Sequence, residues 1–366
     1  MKMIDLRRVV IGTIALLIIA VQIVAAQKIE IVAEIDVTPG NVAVSKDGRI
    51  FMTVHPLRKS NVQLVEIVNK NTLVPFPNAS WNKAPGSGYD VINTPLGMVV
   101  DANNVLWVID VGNMVKEPFQ PKLLAFQVET GELVYRYDFP SNVAAKGTFV
   151  QDLVVDTENK FVYLADIGVG KFNPAIVVLD YANNISRRFE AAPSLKAENV
   201  EMIIDGESQI FQGKPLRVGI NPIHLSADNE TIFYGAMSGK TIYKLPAKLF
   251  RSGAPDAEIV ENIKKFGNKT PSDGGTIDQK GNIYFTNVGN HSIDRLTPDG
   301  KIEVIAKDDK LLQFPDNIRF GSDGYIYVAV NQLNKTPAWT SDKKDNGKPP
   351  YYIVRIKVNE VGVWGR

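Results

Sequence analysis

Residues 97–110 read GMVVDANNVLWVID. The segment is an apolar strand, a polar turn and a second strand rich in aromatic and β-branched residues, which is typical of an antiparallel strand pair. Five more copies follow the same pattern: NVAVSKDGRIFMTV (41–54), DLVVDTENKFVYLAD (152–166), IHLSADNETIFYGA (223–236), GTIDQKGNIYFTN (275–287) and NIRFGSDGYIYVAV (317–330). The copies recur at intervals of roughly 43 to 70 residues, which suits a four-stranded propeller blade with its loops.

A second hairpin follows several copies, with turns at Thr130-Gly131, Asn183-Asn184 and Asp299-Gly300. These residues are favoured in tight turns between alternating strands. The pattern therefore predicts an all-β, six-bladed β-propeller with four antiparallel strands per blade. After the last copy only one strand is recognisable, Tyr351 to Val358. The alternating segment from Ile29 to Val37 is predicted to close the ring as the outer strand of that last blade.

Two independent domains are the alternative architecture for a chain of 366 residues. No Pro/Gly/Ser-rich linker divides the sequence, and the long irregular stretches 75–94 and 333–350 fall between predicted strands. We interpret both stretches as surface insertions, and residues 27–366 as a single propeller domain.

The first 26 residues differ in composition from the rest. Basic residues at positions 2, 7 and 8 precede an apolar run from Val9 that ends in Val24-Ala25-Ala26. This layout predicts a secretory signal peptide cleaved after Ala26. An uncleaved N-terminal anchor is the alternative, because the run is about long enough to span a bilayer.

Charge and cysteine content exclude several classes of function. Lys plus Arg number 41 against 40 Asp plus Glu, which gives no basic surplus for nucleic acid or an anionic membrane surface. The chain has no cysteine, which excludes disulfides, thiolate catalysis and Cys-based zinc sites. An exported protein without disulfides suggests a bacterial envelope, so we expect a secreted or periplasmic monomer with a small-molecule partner and no nucleic acid.

The ordered set of copies resembles the major royal jelly protein and Yellow family. The resemblance rests on PLGMVVDANNVLWVIDVGN, PKLLAFQVETGELVYRYDFP and QDLVVDTENKFVYLADIG, continues in family order through FPDNIRFGSDGYIYVAVNQLN, and covers about residues 29–358. It implies a six-bladed propeller, and most proteins of this family are secreted. The family includes proteins linked to dopachrome conversion, nutritive proteins and salivary binders of biogenic amines. The absence of cysteine departs from the insect members and favours a bacterial branch.

In a propeller, the start of each inner strand and the end of each second strand lie on one face, around the central channel. The strand-start positions are Asn41, Leu96-Gly97, Gln151-Asp152, Asn221 to His224, Ser272-Asp273 and Asp316-Asn317. The strand-end positions are His55, Asp110 to Asn113, Asp166 to Gly168, Met237-Ser238, Asn287 to Asn290 and Asn331-Gln332. Acidic and amide groups thus converge on one mouth, which favours a polar or cationic ligand, or a hard metal bound through oxygens.

Structural roles compete with binding roles at several of these positions. Asp110 and Asp166 are each followed two residues later by Gly, and we expect them to accept hydrogen bonds from loop N–H groups. His224 is the candidate acid or base near neutral pH, with a packed channel histidine as the alternative. Trp107 is predicted to lie in a blade core, whereas Trp81 and Trp339 are candidates to cover the mouth.

A weaker resemblance links the chain to gluconolactonase-type six-bladed hydrolases. It implies a divalent cation, Ca²⁺ or another, held by a Glu from the first blade, an Asn from a middle blade and an Asp from a Pro-Asp-Gly-like loop. Asn221 and Asp273 match two of these places, but Asn41 stands where the Glu would be. Asp152 and Asp316 are the remaining anionic candidates.

The sequence therefore predicts a ligand-binding propeller. Its site residues are Asp152, Asn221, His224, Asp273, Asp316 and Asn317. A metal-dependent lactonase-like hydrolase or Yellow-like isomerase at the same channel, and a non-catalytic interaction scaffold, are the alternatives.

Overall fold

The computed structural model describes residues 27–112, 114–211 and 213–366. The predicted signal or anchor segment, residues 1–26, and the strand-end position Asn113 lie outside the described residues. Within the described ranges, no helix has the length and apolar character needed to cross a membrane.

Strands dominate the structure. In chain order they are β1 (Ile29–Ile35), β2 (Pro39–Val44), β3 (Ile50–Val54), β4 (Leu64–Asn69), β5 (Thr72–Pro75), β6 (Pro95–Val100), β7 (Val105–Asp110), β8 (Lys122–Gln127), β9 (Leu133–Asp138), β10 (Val150–Asp156), β11 (Phe161–Asp166), β12 (Ala175–Asp180), β13 (Ile185–Phe189), β14 (Ile203–Ile204), β15 (Glu207–Ser208), β16 (Ile210–Phe211), β17 (Lys214–Pro215), β18 (Ile220–Leu225), β19 (Thr231–Ala236), β20 (Thr241–Pro246), β21 (Lys264–Asn268), β22 (Gly275–Ile277), β23 (Ile283–Asn287), β24 (Ser292–Leu296), β25 (Ile302–Lys307), β26 (Pro315–Phe320), β27 (Tyr325–Val330) and β28 (Tyr351–Lys357). Two short helices, α1 (Lys248–Arg251) and α2 (Asp256–Asn262), lie between β20 and β21, and 3-10 turns occupy Pro193–Leu195 and Leu333–Lys335.

Six four-stranded antiparallel sheets form the blades of a propeller, as the repeats predict. Blades 1 to 5 are β2–β5, β6–β9, β10–β13, β18–β21 and β22–β25. Blade 6 has the order β1-β28-β27-β26, so the N-terminal strand is its outer strand. Ile29 lies opposite Ile356 and Ile35 lies opposite Tyr351. Pairing the two ends of the ring leaves no open edge between the first and last blades, and the closure predicted for this strand is confirmed.

The inner strands β2, β6, β10, β18, β22 and β26 contact one another in sequence and form a closed ring. Each is buried along its whole length or nearly so, because one side faces the channel and the others face neighbouring strands. The hydrophobic cores lie between adjacent blades. Trp107 packs against Tyr135 and Tyr181 in the core between blades 2 and 3, as predicted.

The predicted second hairpins turn where the sequence places them. Gly131 and Gly300 have positive φ angles of 71° and 89°. Asn184 has a φ of 56°, which Asn tolerates better than most non-glycine residues. These residues let the third and fourth strands of their blades reverse direction within a few residues.

Residues 359–366 cross the end of the channel opposite the mouth. Gln279 N–H donates to Val361 O, Gly365 N–H donates to Val100 O, and Val155 N–H donates to Gly365 O. This tail therefore joins blades 5, 2 and 3. Nothing in its short, aperiodic sequence predicts this role.

Candidate functional site: the channel mouth

The strand starts and strand ends share one face of the propeller. Pro95 lies opposite Asp110, and Val150 lies opposite Asp166. The same antiparallel pairing holds in the other blades, so the polar residues at both kinds of position surround one mouth.

Asp273 and Asn221 meet directly. The Asn221 Nδ2 donates to Asp273 Oδ1, and Gln151 Nε2 donates to the same oxygen at 3.1 Å. Backbone N–H of Asp273 donates to Thr286 Oγ1 at 3.1 Å, which fixes the loop. Three blades thus contribute to the surroundings of one buried carboxyl group.

Asp316 lies on the blade 6 side of the same cluster. Asn331 Nδ2 donates to Asp316 Oδ2 and, at 3.1 Å, to Pro39 O of blade 1. Asn317 Oδ1 accepts from Val42 N–H at 3.1 Å and so bridges the same two blades. The paired Asp-Asn of this loop therefore joins the last blade to the first.

Arg319 is a buried channel residue that the sequence did not single out. Its guanidinium pairs with Asp152 of blade 3. It also donates to Met98 O of blade 2 at 3.2 Å and to Gly275 O of blade 5 at 2.9 Å. A single side chain of blade 6 therefore spans the channel. The signal that could have identified it is an arginine within a buried inner strand, PDNIRF, because a buried cation requires a partner.

His224 is fully buried, and neither ring nitrogen has a hydrogen-bond partner among the described residues. Its ring packs against Gly275, where an added Cβ would lie 2.6 Å from His224 Cε1. Burial lowers the pKa of His224 to about 3, and the nearby cations Arg319 and Lys269 add to this effect. The imidazole is therefore neutral at physiological pH and suited to hydrogen bonding.

The carboxyl groups are close enough to act on one another. Burial raises the pKa of Asp273 to about 7, even though the Asn221 and Gln151 amides stabilise its charged form. Burial and the charge of Asp273 together raise the pKa of Asp316. Burial also lowers the pKa of Lys269 to about 7, while the charges of Glu198 and Asp273 oppose that effect. Lys269 lies outside the repeated copies, and no pattern predicts its presence.

The metal-site hypothesis depends on whether these oxygens converge on one point. Among the described residues, no group of three or more His, Cys, Asp or Glu side chains is placed to hold a metal ion. The two matched positions, Asn221 and Asp273, are hydrogen-bonded to each other. The donor set does not fit a three-ligand cation site, and a calcium site stays a prediction.

Two strand-end aspartates have the structural role expected for them. Asp110 Oδ1 accepts from Gly112 N–H at 3.2 Å, and Asp166 Oδ1 accepts from Gly168 N–H at 3.1 Å. Asp110 also pairs with the buried Lys122 at 3.0 Å, which the sequence did not indicate. Both carboxylates hold loops in place.

Two insertions pack against the mouth ends of blades 4 to 6. We call residues 193–211, 213–218 and 333–350 the cover. Apolar side chains of the cover form one cluster with residues at the mouth ends of blades 4 to 6: Met202, Ile204, Leu216, Met237, Val288, Phe314, Leu333 and Trp339. His291 Nε2 lies 2.7 Å from Asp205 Oδ1 and ties the β14–β15 turn to blade 5. Trp339 packs on Phe314, at the mouth end of blade 6, whereas Trp81 packs on Phe126 in the core between blades 1 and 2, so the prediction that Trp81 covers the mouth is wrong.

The candidate residues have almost no solvent contact. Their exposed fractions are between 0 and 3%: Asp152, Asn221, His224, Asp273, Asp316 and Asn317. The six side chains thus form a buried polar cluster at the mouth, which we call the chamber. The sequence predicted which side chains lie at the mouth, but not that they are buried from solvent.

Comparison with known proteins identifies the family. A sequence model described as major royal jelly protein matches residues 94–361. The chain belongs to that family. Major royal jelly protein 1 of Apis mellifera is 26% identical over 329 residues, which cover 78% of this chain and 72% of the bee protein. A Yellow-related salivary protein of Lutzomyia longipalpis is 24% identical over 289 residues, with coverages of 72% and 69%.

Solved structures of other proteins share the family's fold at low sequence identity. A luciferin-regenerating enzyme superposes with a TM-score of 0.57 at 11% identity and covers 93% of this chain and 98% of its own. A gluconolactonase of Xanthomonas campestris has a TM-score of 0.55 at 11% identity, with coverages of 90% and 89%. At these identities the likeness concerns the propeller alone.

Proposed function

We propose that this member of the major royal jelly protein family is exported and binds a small polar or cationic molecule in the chamber beneath the cover. The signal-like N-terminal pattern and the salivary relative support export. The fold itself carries no information about the ligand, so the proposal rests on the chamber.

One observation carries the proposal. Buried polar atoms of four strand-start residues have no partner among the described residues: Asn41 Oδ1, Asn221 Oδ1, both ring nitrogens of His224, and Asn317 Nδ2. An unpaired buried polar group costs about 1–3 kcal/mol, so such groups are normally paired with water or a ligand. Their concentration at one mouth, beside Asp273 and Asp316, favours a ligand that both donates and accepts hydrogen bonds.

The carboxyl groups predict how binding depends on pH. The ionised form of Asp273 attracts a cation, and its pKa of about 7 makes the ionised fraction rise between pH 6 and pH 8. The affinity for a cationic ligand should therefore increase over this range. The affinity for a neutral polyol should change little, which distinguishes the two ligand classes.

The experiment is a thermal-shift screen of residues 27–366 against small amines and polyols, with calorimetry on each compound that raises the melting temperature. We expect Asp273→Asn and Asn221→Leu each to weaken binding at least tenfold. Asp299→Asn, on an exposed turn of blade 5, is the matched control. If a ligand binds both channel variants as tightly as it binds the wild-type protein, the binding site lies elsewhere.

Calcium is titrated in the same series. A calcium site that Asp273→Asn abolishes, with no binding of metal-free ligands, would replace this proposal with the lactonase-type alternative.

A further inference from the structure

A cleft lies on the mouth face, between blades 1 and 2. Its volume is about 660 Å³, within the range of about 300–1,000 Å³ typical of small-molecule sites. Its walls are the loop after β3, the loop before β6, the loop after β7 and residue Lys146. The six channel residues do not line it, so the cleft is separate from the chamber.

The cleft carries an excess of positive charge. Lys59, Lys116 and Lys146 line it, all exposed, and none forms a hydrogen bond or ion pair with another described residue. Glu117 is the one carboxylate among the described lining residues. Arg58 also lines the cleft, but Asp345 neutralises it at 2.7 Å. The three free ammonium groups therefore create a field that attracts an anion.

Part of the lining is apolar. Met114, Val115 and Phe119 follow β7 and face the same cleft. Met114 is 48% exposed, which is unfavourable for a large apolar side chain in water. Cations beside an apolar surface suit a molecule with an anionic group and an apolar body.

The cleft is held in shape by a hydrogen-bonded loop. Asn93 Oδ1 accepts from Gly86 N–H at 2.8 Å, and Asn93 Nδ2 donates to Gly88 O at 2.9 Å. Asp110 accepts the N–H groups of Asn93 and Thr94 at 2.9 and 2.7 Å. Small-molecule sites are usually preformed in this way.

We propose that this cleft binds a small amphipathic anion, with its carboxylate or sulfonate near Lys59, Lys116 and Lys146 and its apolar part on Met114 and Phe119. The site is independent of the chamber function. Its ligand is anionic, whereas the ligand proposed for the channel is polar or cationic.

The test uses naphthalene-2-sulfonate as the probe, titrated calorimetrically into residues 27–366 at low and high salt. We expect one saturable site whose affinity falls with salt, because exposed charges are screened. The triple variant Lys59→Gln/Lys116→Gln/Lys146→Gln should bind at least tenfold more weakly. Lys265→Gln/Lys310→Gln/Lys357→Gln, which removes the same charge from other blades, is the matched control.

Further variants separate the apolar contribution and the channel. Met114→Ser should weaken binding of the naphthalene-2-sulfonate probe several-fold and leave the melting temperature of the free protein nearly unchanged. Asp273→Asn should leave probe affinity intact, so the two sites can fail separately. Absence of saturable binding at millimolar probe, or an equal loss in both triple-lysine variants, overturns the cleft proposal.

Discussion

Replacing Arg319 with methionine tests whether one buried guanidinium holds the channel together. The side chain is 4% exposed, pairs with Asp152, and donates to backbone carbonyls of blades 2 and 5. Methionine retains much of the aliphatic volume and removes every donor. The variant therefore leaves Asp152 as a buried carboxylate without its cation.

The expected loss follows from the contacts that are removed. Breaking a buried ion pair by deleting one partner costs about 3–5 kcal/mol, because the remaining charge stays buried and unpaired. The carbonyls of Met98 and Gly275 also lose a charged donor, so the total should lie toward the upper end of that range. In the double variant Arg319→Met/Asp152→Asn no charge is left unpaired, and we expect at least half of the stability to return.

The assay is urea-induced unfolding, followed by tryptophan fluorescence and circular dichroism at pH 7.5. Arg295→Met is the control, because Arg295 forms a partly exposed pair with Glu303 on blade 5 and should lose less than about 1 kcal/mol. A loss below about 1 kcal/mol in Arg319→Met, or no recovery in the double variant, would refute the assignment of Arg319 as a brace between blades.

Three further predictions concern other parts of the fold. Burial lowers the pKa of His55 from 6.5 to about 3, so the stabilising contribution of His55 is complete above pH 6.5 and is lost as the pH falls. In unfolding titrations, the His55→Gln variant should therefore lose less stability than the wild type between pH 7 and pH 4, by about 3 kcal/mol. Gly275→Ala places a Cβ 2.8 Å from Tyr284 O and 2.6 Å from the His224 ring, and should destabilise the protein by about 1–3 kcal/mol in the same assay. Gly253→Ser is the comparison, because Gly253 lies on an open turn where only the positive φ angle opposes a side chain. In hydrogen exchange, amides of 203–208 in the cover should exchange faster than those of 361–365 in the tail; equal protection would show that the cover is as rigid as the blades.

The fold could be predicted because every blade repeats the same sequence pattern of strands and turns. Asn184 and Gly300 turn where alternating strands must reverse, and the same pattern six times leaves one architecture that buries every inner strand. The closing strand was predictable for a related reason. Blade 6 lacked a fourth strand in the sequence pattern, and apolar and polar residues alternate along Ile29–Ile35.

The candidate site was predictable only in part. Topology brings the start of every inner strand to one mouth, so the positions of Asp273 and Asp316 follow from the repeats. Lys269 and the partners of Arg319 do not follow, because they depend on which side chains cross between blades. The cover and the tail were missed because their sequences are irregular and their stability comes from tertiary packing, which leaves no periodic pattern.

The cover and the cleft meet at Arg58. Its guanidinium lines the cleft, yet it donates to the backbone carbonyls of Asn331 and Gln332 at 2.9 and 3.2 Å and pairs with Asp345 of the cover. The loop after β3 is therefore fastened to the cover through one side chain that also faces the proposed anion site. Because Asp345 holds this guanidinium, Arg58 adds no free charge to the cleft, and the three unpaired lysines supply its field.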